Sequence, residues 1–259
     1  MIIGLAIVAS SFTANAVVLY ASANFGAGDT LYTIDTNTQT VNLVANTGLR
    51  ENFGLADRNG KLYGFDQIND VVDEVNPSTG VTVNSFNVGI VTTGEGGVAF
   101  DSSGTGFLVQ GGPVTGGFWT FDINILSSNR LGTSDPGMDG MDFNSADVLY
   151  GLSQFDSDLY TINTSNGVAT LVGNTGISSN FLAGLTFDSN DNLFAINRAG
   201  VLYSLNASNG NSTFLFDTGL SEVGGLSALN TAPSVPEPTT VLLLGLGLAG
   251  LGFARKRLH

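Results

Sequence analysis

Apolar residues along this chain come in short runs, each broken by Gly, Asn, Asp, Ser or Thr. Within "LYTIN", Leu159, Thr161 and Asn163 fall on one face, while Tyr160 and Ile162 fall on the other. That period of two is the pattern of a β-strand. No long amphipathic helical pattern appears between the runs, so the chain predicts many short strands joined by tight turns.

The runs recur as a longer unit. One element is a glycine, an apolar strand and a turn: "GLADRNGKLYGF" from Gly54, "GVAFDSSGTGFLV" from Gly97, "GMDFNSADVLYGL" from Gly140 and "GLTFDSNDNLFAI" from Gly184, with a partial copy, "GLSALN", from Gly225. These glycines are 43, 43, 44 and 41 residues apart. A second element follows each time, ending at Asp35, Asn76, Asp122, Asn163 and Asn206, before a turn and a further strand. Four antiparallel strands per unit at this period make a β-propeller blade. A linear β-solenoid is the structural alternative, although its coils normally repeat at shorter periods.

The last copy stops after one strand, residues 225–230, whereas "VVLYAS" near the other end matches the second strand of a blade. Pairing the two closes five blades and leaves no edge bare. The expected fold is therefore all-β, a five-bladed propeller over residues 17–230 with a mixed N/C-terminal closing blade. The texts "FDSNDNLFAIN" and "LYTINTSNGVATLVGNTG" resemble secreted bacterial propellers with NHL and SMP-30-like repeats. That likeness concerns the fold and does not set a function.

Both ends depart from this pattern. Residues 1–16, "MIIGLAIVASSFTANA", combine an apolar stretch with a small-x-small site, as a secretion signal cut by signal peptidase after Ala16 does. A buried first strand, or cleavage after Ala23, are the other readings. After a linker at 231–234 the chain ends "VPEPTTVLLLGLGLAGLGFARKRLH". The apolar run 239–254 would extend about 24 Å as a helix, a little short of a comfortable span. Its glycines weaken a helix in water, so lipid is what would hold it. Arg255, Lys256 and Arg257 then act as a cytoplasmic stop, leaving everything before Pro238 outside.

Val235-Pro236-Glu237-Pro238, a Leu/Gly helix and an Arg-rich end, in that order, resemble the PEP-CTERM sorting signal of Gram-negative bacteria. The same tail is also known as an ice-binding protein C-terminal domain, a label that describes the tail and not the body. The resemblance implies recognition by an exosortase, a membrane transpeptidase-like protease that cuts near Pro-Glu-Pro. It also implies transient residence in the inner membrane and delivery to the envelope or an exopolysaccharide-rich matrix.

Charge narrows the partners. The chain carries a formal net charge of −14, and without the basic tail the body is more acidic still. Such a field repels nucleic acid. There is no cysteine, and the only histidine is His259, so thiol chemistry and the commonest general base are missing from the body.

Asp57, Asp101, Asn144, Asp188 and Asn230 recur at turns after the first strand and read as turn formers. A ligand mouth is expected at the other end of the ring, where Glu51, Asn52, Glu95, Asp139, Asn180 and Glu222 precede the repeating glycines. Converging oxygens there suit a hard cation such as calcium, with independent solvation of each acid as the plain alternative. Trp119 sits where other copies have Tyr, which suits packing between blades or stacking on a sugar. No catalytic motif is present, so the expectation is a secreted non-catalytic propeller, without a required cofactor, binding glycan or matrix protein. The alternative is a calcium-dependent hydrolase or lyase, resembling lactonase propellers.

Overall fold

The computed structural model describes residues 17–23, 30–46, 52–91, 96–110, 116–133, 136–178 and 182–230. The strands in chain order are β1 (Val18–Ala23), β2 (Thr30–Asp35), β3 (Thr40–Asn46), β4 (Asn52–Arg58), β5 (Lys61–Asp66), β6 (Val71–Val75) and β7 (Thr82–Phe86). There follow β8 (Gly96–Phe100), β9 (Gly106–Gln110), β10 (Gly117–Asp122), β11 (Ser127–Thr133), β12 (Met138–Phe143), β13 (Leu149–Ser153), β14 (Asp158–Ile162) and β15 (Ala169–Asn174). The series ends with β16 (Leu182–Phe187), β17 (Leu193–Asn197), β18 (Val201–Leu205), β19 (Ser212–Asp217) and β20 (Gly225–Ala228).

These strands form five four-stranded antiparallel sheets. Blade I is β4–β7, blade II β8–β11, blade III β12–β15 and blade IV β16–β19, while blade V runs β20, β1, β2, β3. Leu19 pairs with Ala228 and Ser22 with Gly225, so the last strand enters the sheet begun at the other end of the chain. The inner strands β4, β8, β12, β16 and β20 touch in that order, and β20 returns to β4. The propeller is a closed ring of five blades.

The repeating glycines explain how the inner strands approach so closely. A Cβ on Gly140 would stand 2.7 Å from the Leu185 nitrogen, and one on Gly184 2.6 Å from that of Leu226. A Cβ on Gly225 would stand 2.6 Å from the Leu55 nitrogen, and one on Gly54 2.7 Å from that of Val98. Each glycine therefore lies against the next blade's backbone around the whole ring, a distance only a residue without Cβ allows.

Apolar residues pack in five slabs between blades, not in one central core. Phe100, Leu108 and Phe121 join blades I and II; Phe107, Phe118 and Met141 join II and III; Leu159, Leu185 and Phe187 join III and IV. Leu19, Ile34, Phe194 and Leu226 join IV and V, and Leu31, Leu55, Leu62 and Val75 join V and I. Alternation within strands supplies both faces: in β14, Ile162 enters the slab toward blade II and Leu159 the slab toward blade IV.

The Asx residue ending each third strand heads a turn. Asp35, Asn76, Asp122, Asn163 and Asn206 each accept a hydrogen bond from the amide two residues on, at 2.7–2.9 Å. This local bond holds the hairpin without tertiary help. Among the described residues no helix is long and apolar enough to cross a membrane. The expected signal 1–16, the helix 239–254, the motif Val235–Pro238 and the basic end Arg255–Arg257 lie outside the described residues.

Candidate functional site

The inner strands all start at one end of the ring and finish at the other. Of the residues expected at the starting end, Glu51, Glu95 and Asn180 lie outside the described residues, and Asn52 opens β4. Asp139 is buried in β12, where pairing with β13 skips from Met138 to Gly140. Glu222 lies at the surface and accepts a hydrogen bond from the Arg198 Nε at 2.6 Å. Among the described residues, no group of three or more His, Cys, Asp or Glu side chains is placed to hold a metal ion.

A cavity of about 300 Å³ opens at the finishing end, where the hairpins from first to second strand meet. Asp57, Asp101, Asn144, Asp188 and Asn230 all line it. Three of them are turn formers in equivalent places: Asp101 accepts from the Thr105 amide at 2.8 Å, Asn144 from Val148 at 2.9 Å and Asp188 from Asn192 at 2.8 Å. The other two are shifted in register relative to the glycine ring. Asp57 stands one position earlier, where blades II to IV carry Phe100, Phe143 and Phe187, and Asn230 one position later. Asp57 accepts from the amides of Gly60 and Asn230, so it ties blade I to the end of blade V.

The hairpins also latch onto one another. Ser102 in blade II donates its amide and hydroxyl to the two carboxylate oxygens of Asp147 in blade III. Ser145 in blade III does the same to Asp191 in blade IV. Bonds to an ionised carboxylate are stronger than neutral ones, and here two converge on one side chain. Blade I has Arg58 where blades II to IV carry the turn-forming Asp or Asn; it lies 5.5 Å over the Phe100 ring and fills the space against Gly104.

Asp142 lines the same cavity and is half-buried in β12. Its carboxylate accepts from the Phe187 amide at 2.8 Å and the Thr186 hydroxyl at 3.0 Å, and Thr186 in turn accepts from the Ala228 amide at 2.9 Å. Blades III, IV and V are thereby joined through one polar chain. Burial pushes Asp142 up to about 7, against the lowering effect of those hydrogen bonds, and the charge of Asp57 adds to the rise. Asp57 itself is raised to about 6, chiefly by burial. Carboxyl groups so placed change protonation near neutrality, yet their oxygens are already engaged in holding the ring.

Asp142 escapes notice in the sequence, where "GMDF" reads as one more apolar strand. The available signal is an acid inside a strand whose copies carry Ala99 and Thr186. The latches had a signal too, the Ser-x-Asp text in "NSAD" and "DSND". Trp119 is half-buried in β10 against the slab between blades I and II, with the Arg130 guanidinium 5.7 Å over its ring.

Comparison with known proteins separates the tail from the body. Residues 234–257 match the PEP-CTERM protein-sorting motif. The chain thus carries the signal of an exosortase-sorted, secreted, envelope-associated protein on a five-bladed propeller. No curated protein matches it in sequence. Among solved structures it is similar to a chain in the crystal structure of a nidogen/laminin complex, with 12% identity over 83% of this chain and 99% of that one and a TM-score of 0.53. The likeness is one of fold. A virginiamycin B lyase from Staphylococcus aureus aligns at 12% identity over 68% of this chain and 59% of its own, with a TM-score of 0.44.

Proposed function

We propose that the chain is a non-catalytic binding module of the cell envelope or extracellular polysaccharide matrix, delivered there by exosortase processing. What supports this reading is the employment of the channel's acids. Asp142, Asp147 and Asp191 each accept hydrogen bonds from one neighbouring blade, and Asp57 bridges to the closing blade. A general acid or nucleophile must offer an oxygen to a substrate, whereas these oxygens are spent on the fold. The partner is a glycan or a matrix protein, met on the outside of the ring.

The test is a panel of lactones and matrix glycans incubated with the purified protein, with and without calcium. The expected result is no turnover in either condition and no shift of the melting temperature on calcium addition. Turnover that Asp139→Asn or Glu95→Gln abolishes would replace the binding module with a calcium-dependent hydrolase or lyase.

A further inference from the structure

Tyr32, Trp119, Tyr160 and Tyr203 occupy one equivalent position on the third strands of blades V, II, III and IV. Each stands two residues before a buried slab residue: Ile34, Phe121, Ile162 and Leu205. In each blade the pairing with the outer strand slips just before the aromatic residue. A bulge of this kind bends a strand and re-aims the side chain beside it. One side of each ring packs on the slab shared with a neighbouring blade, and the rest remains at the surface.

The outer strand extends each ring. The register partners are Leu43, Arg130, Leu171 and Phe214. Leu43, Leu171 and Phe214 are 63%, 56% and 62% exposed, and the Phe214 ring meets Tyr203 edge to face at 6.2 Å. Single exposed apolar residues need no explanation. Repetition beside an aromatic ring, at the same place on successive blades, marks a surface that meets something.

Charge selects the occupant. The outer strands β3, β7, β11, β15 and β19 are rich in Thr, Ser and Asn, and their only charged residues are Arg130 and Asp217. The body around them is strongly acidic, which repels polyanions and leaves uncharged polymers indifferent. The apolar face of a sugar ring fits an aromatic side chain, and its hydroxyls fit amide and hydroxyl partners. We infer that the four rim platforms at Tyr32/Leu43, Trp119/Arg130, Tyr160/Leu171 and Tyr203/Phe214 together bind an uncharged polysaccharide. Each platform is weak alone, and a polymer that reaches two or more gains from their shared scaffold. This rests on the reading of the chain as a non-catalytic binding module.

Native-gel retardation of the full secreted protein tests it, with dextran, galactomannan or a linear β-1,3-glucan in the gel and the polyanion alginate as the contrast. The expected result is retardation by at least one uncharged polymer and none by alginate. Leu171→Lys with Phe214→Lys, both at exposed sites, should weaken binding about tenfold or more by removing two of the linked platforms, with an unchanged melting temperature. Equal migration in every gel overturns the inference, as does retardation that the lysine pair leaves intact. Self-association without glycan, abolished by the same pair, overturns it in favour of a second copy of the chain. Degradation of the gel polymer would instead sink the non-catalytic reading while leaving the platforms in place.

Discussion

Blades I and II are joined by a thick, aromatic slab, and blades V and I by a thin, aliphatic one. The first buries Tyr63, Phe65, Phe100 and Phe121, with Phe100 edge-on to Phe121 at 5.4 Å; the second rests on Leu31, Leu55, Leu62 and Val75. At the position where the other blades place Tyr or Trp toward a neighbour, blade I has Asp73, buried beside Asp66 and hydrogen-bonded to Ser85. The seam next to the mixed blade therefore depends more on backbone contact and polar pairing than its counterparts do. The difference teaches that ring closure and core packing are separate requirements: the glycine contacts are the same at both interfaces, while the apolar contribution is not.

The largest expected effect comes from filling the shared backbone contact. Gly140→Val, between blades III and IV, and Gly225→Val, at the seam, each place a side chain within 2.7 Å of a neighbouring backbone nitrogen. Overpacking against backbone should destabilise either variant by about 3 kcal/mol or more, and thermal melting would register a loss of roughly 10 °C. An unchanged melt for Gly225→Val would mean that the seam is not closed in solution.

Truncation of the apolar slabs is expected next, and unequally. Phe121→Ala should cost about 3 kcal/mol and Leu31→Ala about 2 kcal/mol, measured by denaturant unfolding. Equal losses would remove the contrast between the two interfaces.

The smallest effect is the dependence on pH, to which the seam contributes through Asp73. Burial, with a contribution from Asp66, raises Asp73 to about 6. The folded state then keeps a proton that the unfolded chain releases from about pH 4 upward, so this group's contribution to stability declines as pH rises from about 4 to 6. Asp142, raised to about 7, acts in the same sense up to neutrality. The melting temperature should be a few degrees higher near pH 5 than near pH 8, and Asp73→Asn should flatten part of that slope. A melt that rises with pH in this window would contradict the assignment.

Much of this architecture was legible because blades repeat. The glycine at each inner strand, the Asx residue at each third-strand turn and the split closing blade all follow from text that recurs in register. Features that cross between blades were harder to read. Ser102 finds Asp147 and Ser145 finds Asp191 from far along the chain, and the Ser-x-Asp text by itself does not say which blade supplies the partner. Asp57 and Asn230 look like copies of Asp101, but the glycine ring shows them displaced by one residue in opposite directions. The sorting tail was readable for another reason: its three parts are recognised as sequence, and no folded surroundings are needed to interpret them.

The strand that closes the ring, β20, ends at Ala228, only a few residues before the sorting match begins at 234. Processing must then remove the tail and spare the closing strand. The intact mass of the secreted protein, compared between cells with and without the exosortase, tests this most directly. The expected product is a chain cut near Pro236-Glu237-Pro238 that retains Gly225–Asn230 when the exosortase is present, and an uncut tail when it is absent. The same full-length mass in both, or a cut upstream of Asn230, would contradict it.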